Sequence, residues 1–362
     1  MKQLRIGLIG LGGMINAHID QMNKVGGMQI TAVCDSDRSR VDTWLERLGL
    51  PQGQGFTDYH ELIDSGSVDA VVAATPNDAH YGIVKACLEA GMPLMAEKPF
   101  TRLFEEAYQL MSIAKQRNAN CFVGFSYRYV PSFRMAKSWI ESGKIGTVRH
   151  VFVQYLQDWG APLFGTPMNW RWDTAISGTG VLHDLASHMI DAVRFLVAEP
   201  EEVSGLLSAL IKERPAANGN GTVEVDIDDF AAFTARLEGD IPAVFQTSRN
   251  AFGSGNQLEV VIYGDTGALQ IGCEYGKELH WSHLDEATGA KTKEVLQVPE
   301  SYSLIQMQDF ANYVRGAATA DTPKLIDGYR NQLVMEAVVR SSQTGRAIKM
   351  NDIEREYEEN KY

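Results

Sequence analysis

Only four cysteines occur in the 362 residues, Cys34, Cys87, Cys121 and Cys273, far apart and without a C-x-x-C pair. That argues against a disulfide framework, a zinc ribbon or a thioredoxin-type redox motif. Each lies in an apolar stretch, where a small reduced thiol is the simple reading, and this points to a cytoplasmic compartment. No block of Lys or Arg is present either: 33 basic against 46 acidic residues leave a net charge of −13. Such a chain repels a phosphate backbone, so nucleic acid is not expected as a partner. No apolar run is long enough to span a bilayer, so no membrane partner is expected. The early run IGLIGLGGMI, preceded by Lys2 and Arg5, is short, glycine-broken and without an A-x-A site. It reads as a strand entering a turn, not as a signal peptide. Internal repeats are absent. What is left is a globular composition, 44% hydrophobic and 22% charged, of a length suited to two domains.

The apolar segments RIGLIG, MQITAVCD, VDAVVAAT, PLMAEKPF and CFVGFS alternate with stretches of helical period such as YGIVKACLEAG. This order predicts an α/β domain over residues 1–126, built on a doubly wound parallel sheet. Beyond Tyr127 the period falls to two in GTVRHVFVQYLQDW, DDFAAFTARLEG and PAVFQTSRNAF. An α+β domain over 127–362 with a large, mostly antiparallel open sheet is expected there. QLEVVIYGDTGALQIG reads as a hairpin turning at Gly264-Asp265-Thr266-Gly267. The run ERPAANGNGTVEV reads as a mobile loop. Residues 301–350 read as mostly helical, and these helices are free to pack back on the first domain.

GLIGLGGMINAH follows the first strand and opens the first helix, where a dinucleotide pyrophosphate meets free backbone N–H groups. Gly10 makes the tight turn and Gly12 lets the backbone approach the phosphates, with Gly13, Met14 and Ile15 following. The third small position of G-x-G-x-x-G falls on Ile15, and a plain βα turn would look much the same. Context shifts the balance. AVCDSD ends the second strand with Asp35, about 20 residues on, where a carboxylate accepts both ribose hydroxyls and repels a 2′-phosphate. NAD is therefore expected over NADP, with Ser36 and Arg38 beside the acid; Arg38 and Arg40 would soften the preference.

GTGVLHDLASHMID carries two histidines and two aspartates. On an α-helix from Val181, at about 100° per residue, Val181, Leu185, Met189, Ala192 and Leu196 form one apolar stripe. Asp184 and His188 stand together at its edge, with Asp191 on the same side. A five-residue step puts His183 about 140° away from His188, so the histidines make a poor metal pair and no metal site is expected. Asp184 and His188 could be merely a helix-stabilising pair. Lys98, in AEKPF at the C-terminal edge of the parallel sheet, could likewise be a surface residue or a proton carrier. Together with the nucleotide signal, the two features favour proton transfer. Gln157, Asp158, Trp159, Asn169, Trp170, Arg171, Trp172 and Asp173 combine aromatic faces with directional polar groups, as a pyranose or cyclitol site does. The tryptophans would serve equally as core or subunit interface.

Across nearly its whole length the chain resembles the Gfo/Idh/MocA oxidoreductases, on GLIGLGGM, AVCD, ATPNDAHYGIVKACLEAGMPLMAEKPF, GFSYRYVPSF, WRWD, GTGVLHDLASHMID, YGDTGAL and MEAVVRSSQTGRAI in that order. The resemblance implies a dinucleotide-binding Rossmann domain over 1–126, a substrate-binding and oligomerisation domain over 127–362, and an NAD(P)-dependent enzyme acting on a secondary hydroxyl of a sugar, anhydro sugar or cyclitol, as a homo-dimer or homo-tetramer. It implies that Thr75, Pro76, Asn77 and His80 border the cofactor, and Glu97 and Arg171 are counted with them. Lys98 would touch nicotinamide and substrate, Asp184 would hold a substrate hydroxyl, and His188 would handle its proton. Tyr127, Arg128, Gln157, Trp159, Asn169 and Trp172 are the expected substrate contacts. The family also contains non-catalytic NAD-binding sensors, whose mark would be a broken Lys, Asp, His set; here all three are present.

Overall fold

The computed structural model describes residues 3–360, so Lys2 lies outside the described residues. Two compact units are present: Met1–Phe125 with Ile305–Arg330, and Ser126–Leu304 with Asn331–Tyr362. Ile305–Arg330 thus groups with the N-terminal residues instead of with the rest of 127–362.

In the first unit β1 (Leu4–Ile9), β2 (Met28–Cys34), β3 (Gly55–Phe56), β4 (Ala70–Ala73), β5 (Leu94–Ala96) and β6 (Phe122–Val123) form a wholly parallel sheet in the order β3-β2-β1-β4-β5-β6. β4 is apolar throughout and buried throughout, as a strand covered on both faces must be. Helices Ile15–Val25, Arg38–Leu48, Asn77–Ala90 and Phe104–Arg117 supply the crossovers. β3 and the short helix Tyr59–Asp64 were not foreseen, because two and six residues are too few to show a period. The helix Gln306–Val314 lies beside Ile15–Val25, with the Met307 N–H donating to Gln21 at 3.4 Å. The strand order reverses between β1 and β4, so the crevice beyond their C-terminal ends is where a ligand of such a sheet sits.

In the second unit β7 (Val148–Gln157), β8 (Pro200–Ser208), a small hairpin of β9 (Glu213–Pro215) and β10 (Thr222–Glu224), β11 (Phe230–Leu237), β12 (Ile241–Ser248), β13 (Asn256–Gly264), β14 (Gly267–Gly272), β15 (Glu278–Leu284), β16 (Lys291–Gln297) and β17 (Ile348–Lys349) follow in turn. Nine of them make one sheet in the order β16-β15-β14-β13-β7-β12-β11-β8-β17, antiparallel except where β7 pairs β12. The foreseen hairpin is β13–β14. The expected mobile loop 213–225 instead pairs its two ends as β9 and β10, a ladder of three residues a side that is too short to show a period in the sequence. One face of the sheet buries Val153, Phe233, Ala235 and Phe245 beneath helices, with Phe233 and Phe245 stacked at 4.4 Å. Each such ring contributes about 1.5–3 kcal/mol by leaving water. The opposite face leaves Phe152, Leu206, Val244, Tyr263 and Val295 exposed.

Candidate active site

In the first unit Gly10 leaves β1 with φ +82°, and a Cβ there would stand 2.7 Å from the Ala74 carbonyl oxygen and from Thr75 Cγ2. At Gly12 and Gly13 a Cβ would meet nothing within 4 Å. This backbone therefore borders open space just ahead of the helix Ile15–Val25, which has no side-chain cap and no acid in its first turn. Uncapped N–H groups beside bare glycines suit a pyrophosphate. Met14 is half exposed, whereas the Ile15 side chain is wholly buried and leaves only its backbone for a ligand. Asp35 Oδ2 accepts the Leu11 N–H at 2.9 Å and its Oδ1 accepts the Asp37 N–H at 3.0 Å, so the acid is fixed against the glycine turn. Ser36 is exposed. Arg38 turns to Asp42 and Gln52, both at 2.8 Å, and it is Arg40 that lies 3.8 Å from Asp35.

Pro76 precedes the helix Asn77–Ala90, and Asn77 is buried. His80 is buried with Nδ1 2.8 Å from the Pro99 carbonyl oxygen and Nε2 3.1 Å from that of Thr75. Burial lowers its pKa more than these carbonyls raise it. It therefore ties two loops together and is sealed from a ligand. Glu97 also points inward: Oε1 lies 2.7 Å from His18 Nε2, and Oε2 accepts the Lys98 backbone N–H at 3.1 Å. Lys98, one residue on, is partly exposed. His18 was not singled out from the sequence; its place in GLIGLGGMINAH gave no sign of a partner 79 residues away.

In the second unit the charged stretch departs from the expected α-helix. Leu182–Ala186 is a π-helical turn, with the Ser187 N–H donating to Leu182 O, and the α-helix proper is Ser187–Leu196. Single π turns inside α-helices recur at functional sites. Asp228 organises this one: Oδ1 accepts the Gly180 N–H at 2.6 Å, Oδ2 the Leu182 N–H at 2.9 Å, and its carbonyl the Val181 N–H at 3.0 Å. Burial raises the Asp228 pKa against the pull of those N–H groups.

An i→i+5 turn changes the angular register, so the 140° separation of His183 from His188 does not apply. Their partners separate them instead. His183 Nδ1 accepts the Thr179 N–H at 2.9 Å and also meets the Thr179 hydroxyl, and Nε2 faces Gln332 Oε1 at 3.2 Å. Burial pulls its pKa down to about 4, outweighing Gln332. The unfolded chain therefore takes up this proton first as pH falls. Stability from neutral His183 is complete above about pH 6.5 and is lost toward about pH 4, about 3 kcal/mol in all. Between pH 7.5 and pH 5 the wild type is expected to lose about 2 kcal/mol more than His183→Gln in urea unfolding, the loss from buried His80 being common to both; an equal loss in the two proteins would refute the assignment.

Asp184 Oδ2 accepts from Arg249 Nη2 at 3.0 Å, with Arg171 Nε 3.9 Å away. Arg249 is 1% exposed and also donates to the carbonyls of Gly180 and Arg171. It was missed in PAVFQTSRNAF, where its only signal is a lone charge closing an alternating strand. The His188 ring lies edge-on to Tyr127 at 4.7 Å and to Tyr155 at 5.9 Å between centroids. Tyr127 and Tyr155 hydroxyls are 2.7 Å apart, and a chain of hydrogen bonds runs on through Asn256 and Gln157 to Trp159 Nε1. Burial pushes Tyr127 up to about 12 and Tyr155 higher, so both hydroxyls stay protonated.

Two of the expected substrate contacts face elsewhere. Arg128 is buried on Asp191, with Nη2 2.6 Å from Oδ1. Trp172 is buried against Val225 and Ile227 with Arg214 4.0 Å over its ring, which is the core reading of that tryptophan. Asn169 Oδ1 accepts the Arg171 N–H at 3.0 Å and so shapes the turn Trp170–Trp172. With Asp184 on Arg249 and Asp191 on Arg128, the carboxylates a metal would need are engaged, and no group of three His, Cys, Asp or Glu among the described residues is arranged to hold one. Among the described residues no helix is long and apolar enough to cross a membrane.

The model of an oxidoreductase family with an NAD-binding Rossmann fold, GFO/IDH/MocA, matches residues 4–125, and that of the GFO/IDH/MocA C-terminal domain matches 133–270. The chain is 30% identical to levoglucosan dehydrogenase of Pseudarthrobacter phenanthrenivorans, over 94% of this chain and 97% of the relative. It is 28% identical to inositol 2-dehydrogenase of Rhodococcus erythropolis, over 98% and 97% respectively. Among solved structures, a levoglucosan dehydrogenase in complex with NADH and L-sorbose superposes with TM-score 0.89 at 28% identity, covering 96% of this chain and 99% of that one.

Proposed function

Because the chain belongs to the Gfo/Idh/MocA oxidoreductase family and is an NAD-dependent dehydrogenase, we propose that it oxidises a secondary hydroxyl of a sugar, anhydro sugar or cyclitol, with Lys98, Asp184 and His188 as its working residues. The observation that carries this reading is Asp184, fixed by the buried Arg249, one turn from an imidazole lodged against two hydrogen-bonded tyrosines. The names of the relatives, levoglucosan dehydrogenase and inositol 2-dehydrogenase, support the substrate class.

NAD, when bound, supplies the hydride acceptor. The glycine turn and Asp35 would hold its pyrophosphate and ribose. As the substrate carbon gives up its hydride, its hydroxyl must lose a proton, and His188 takes it, histidine being the side chain whose ordinary pKa lies closest to neutral. The Lys98 ammonium would favour loss of a hydroxyl proton through its charge. Asp184 anchors a neighbouring hydroxyl, with Arg249 setting the direction of its carboxylate.

A library of polyols, anhydro sugars and free sugars added to protein with NAD is expected to give NADH fluorescence for at least one member. NAD binding without turnover across the library would overturn the reading in favour of a sensor. A homo-dimer or homo-tetramer on the exposed sheet face of Phe152, Val244 and Tyr263 belongs to the same proposal, and a monomer mass in light scattering would remove it.

A further inference from the structure

We propose that His18 and Glu97 form a buried positioning pair for Lys98, holding the backbone turn from which that lysine projects. The inference rests on the reading of Lys98 as a working residue. His18, in the helix that follows the glycine turn, is 1% exposed, and Glu97 is 7% exposed. Their side chains meet at 2.7 Å, and the other oxygen of Glu97 receives the Lys98 N–H at 3.1 Å. Space is reserved for this carboxylate: a Cβ at Gly124 would stand 3.0 Å from Oε1 and 3.2 Å from Oε2. His18 Nδ1 has no hydrogen-bond partner among the described residues, so Glu97 is the polar contact that fixes the ring. On the far side of Lys98 the Pro99 carbonyl faces His80 at 2.8 Å. Lys98 is thus bracketed by two buried histidines, one from each of the helices that open next to the cofactor loops.

A carboxylate buried in a parallel sheet costs several kcal/mol unless it is paired, and an apolar residue would fill the volume more cheaply. What an apolar residue cannot do is accept the Lys98 N–H and fix the turn at both ends. The charged and titratable groups facing Glu97 are His18 from the first helix, Lys98 beside it in the chain, and His80 from Asn77–Ala90. Burial pushes the Glu97 carboxyl up, but the hydrogen bond and charge of His18, with Lys98, hold it below the usual carboxylate range. Removing His18 leaves burial opposed mainly by Lys98. The carboxyl then takes up a proton at higher pH, its hold on the Lys98 N–H weakens, and the lysine loses its aim on the acid side.

The test uses the full chain without substrate. Lys98 is acetylated with acetic anhydride between about pH 6 and pH 9 and followed by mass spectrometry against the exposed Lys24 of the same molecule. In His18→Leu the Lys98 to Lys24 ratio is expected to change about threefold or more on the acid side and to approach wild type on the alkaline side, and His18→Gln, which restores a donor, recovers most of the difference. Turnover of the library compound that works best should fall about 10- to 100-fold in His18→Leu near neutral pH and recover as pH rises, with the NADH dissociation constant within about threefold. Glu97→Gln keeps the shape but not the charge; it is expected to lower turnover without recovery at alkaline pH, and it serves if His18→Leu does not fold. A labelling ratio and pH profile parallel to wild type in each folded variant would overturn the proposal, as would a uniform loss at every pH in His18→Leu. Lys98→Met separates the two levels: if it retains turnover, the role of Lys98 fails; if it is inactive while the His18 and Glu97 variants keep wild-type profiles, only the positioning pair fails.

Discussion

Replacing His188 with Gln is expected to lower turnover by about 10²- to 10⁴-fold while NADH binds within about threefold of wild type. The size follows from the chemistry. Oxidising an alcohol at neutral pH without a base leaves the hydroxyl proton to water, and a positioned general base is worth that range. His188 lies in the second unit, edge-on to Tyr127 and Tyr155, whereas the glycine turn and Asp35 lie in the first. Cofactor binding should therefore survive its loss. Gln is close enough in volume to keep the rings in place, so a fall in thermal stability would not account for the result. Lys98→Met should lose turnover to a similar degree, through loss of the charge that favours deprotonation. Stopped-flow NADH formation with the best library compound measures both. Full turnover in either variant, with normal NADH affinity, would remove that residue from the mechanism.

Gly180→Ala should destabilise the protein by about 4 kcal/mol or more. The added Cβ would stand 1.8 Å from the Asp228 carbonyl oxygen and 2.8 Å from its carbon, both main-chain atoms that cannot rotate aside. Moving them apart breaks the bonds from Gly180, Val181 and Leu182 to Asp228 and leaves a buried carboxyl without donors. The same methyl at Gly12 meets nothing within 4 Å, so Gly12→Ala should leave the unfolding free energy within about 0.5 kcal/mol and weaken NADH binding instead. Urea unfolding and NADH fluorescence titration on the two variants read both effects. Equal stability of the two would contradict the geometry at Asp228.

Much of the fold was legible because its signals are local. Burial on one face imposes period two on β11 and β12, and burial on both faces makes β4 apolar throughout. Turn chemistry marked the β13–β14 hairpin and the sharp bend at Gly10. Of the candidate site, the sequence offered Asp184 and His188 four residues apart and Asp35 at a strand end, and the structure places Asp35 directly after β2. Elements too short to show a period, such as β3, were not visible.

The partners were not visible either. Arg249 reaches Asp184 across 65 residues, Asp228 reaches Gly180 across 48, and Asn256 reaches Tyr155 across 101. A hydrogen bond of that kind leaves no spacing in the chain, since the sheet and not the sequence interval brings the ends together. The π turn shows the limit most clearly. From the residues alone, Val181 onward is an ordinary amphipathic helix with His183 turned away from His188. Whether the Ser187 N–H closes on residue 183 or on Leu182 is set by the buried Asp228 that holds the first N–H groups, and by Thr179 and Gln332, which hold His183. By itself the sequence determined which residues are candidates for chemistry and, the π turn apart, on which kind of element they lie. Only the tertiary structure decided which way they face, because orientation is settled by partners brought together in space, and the free energy of burying a charge makes those partners obligatory.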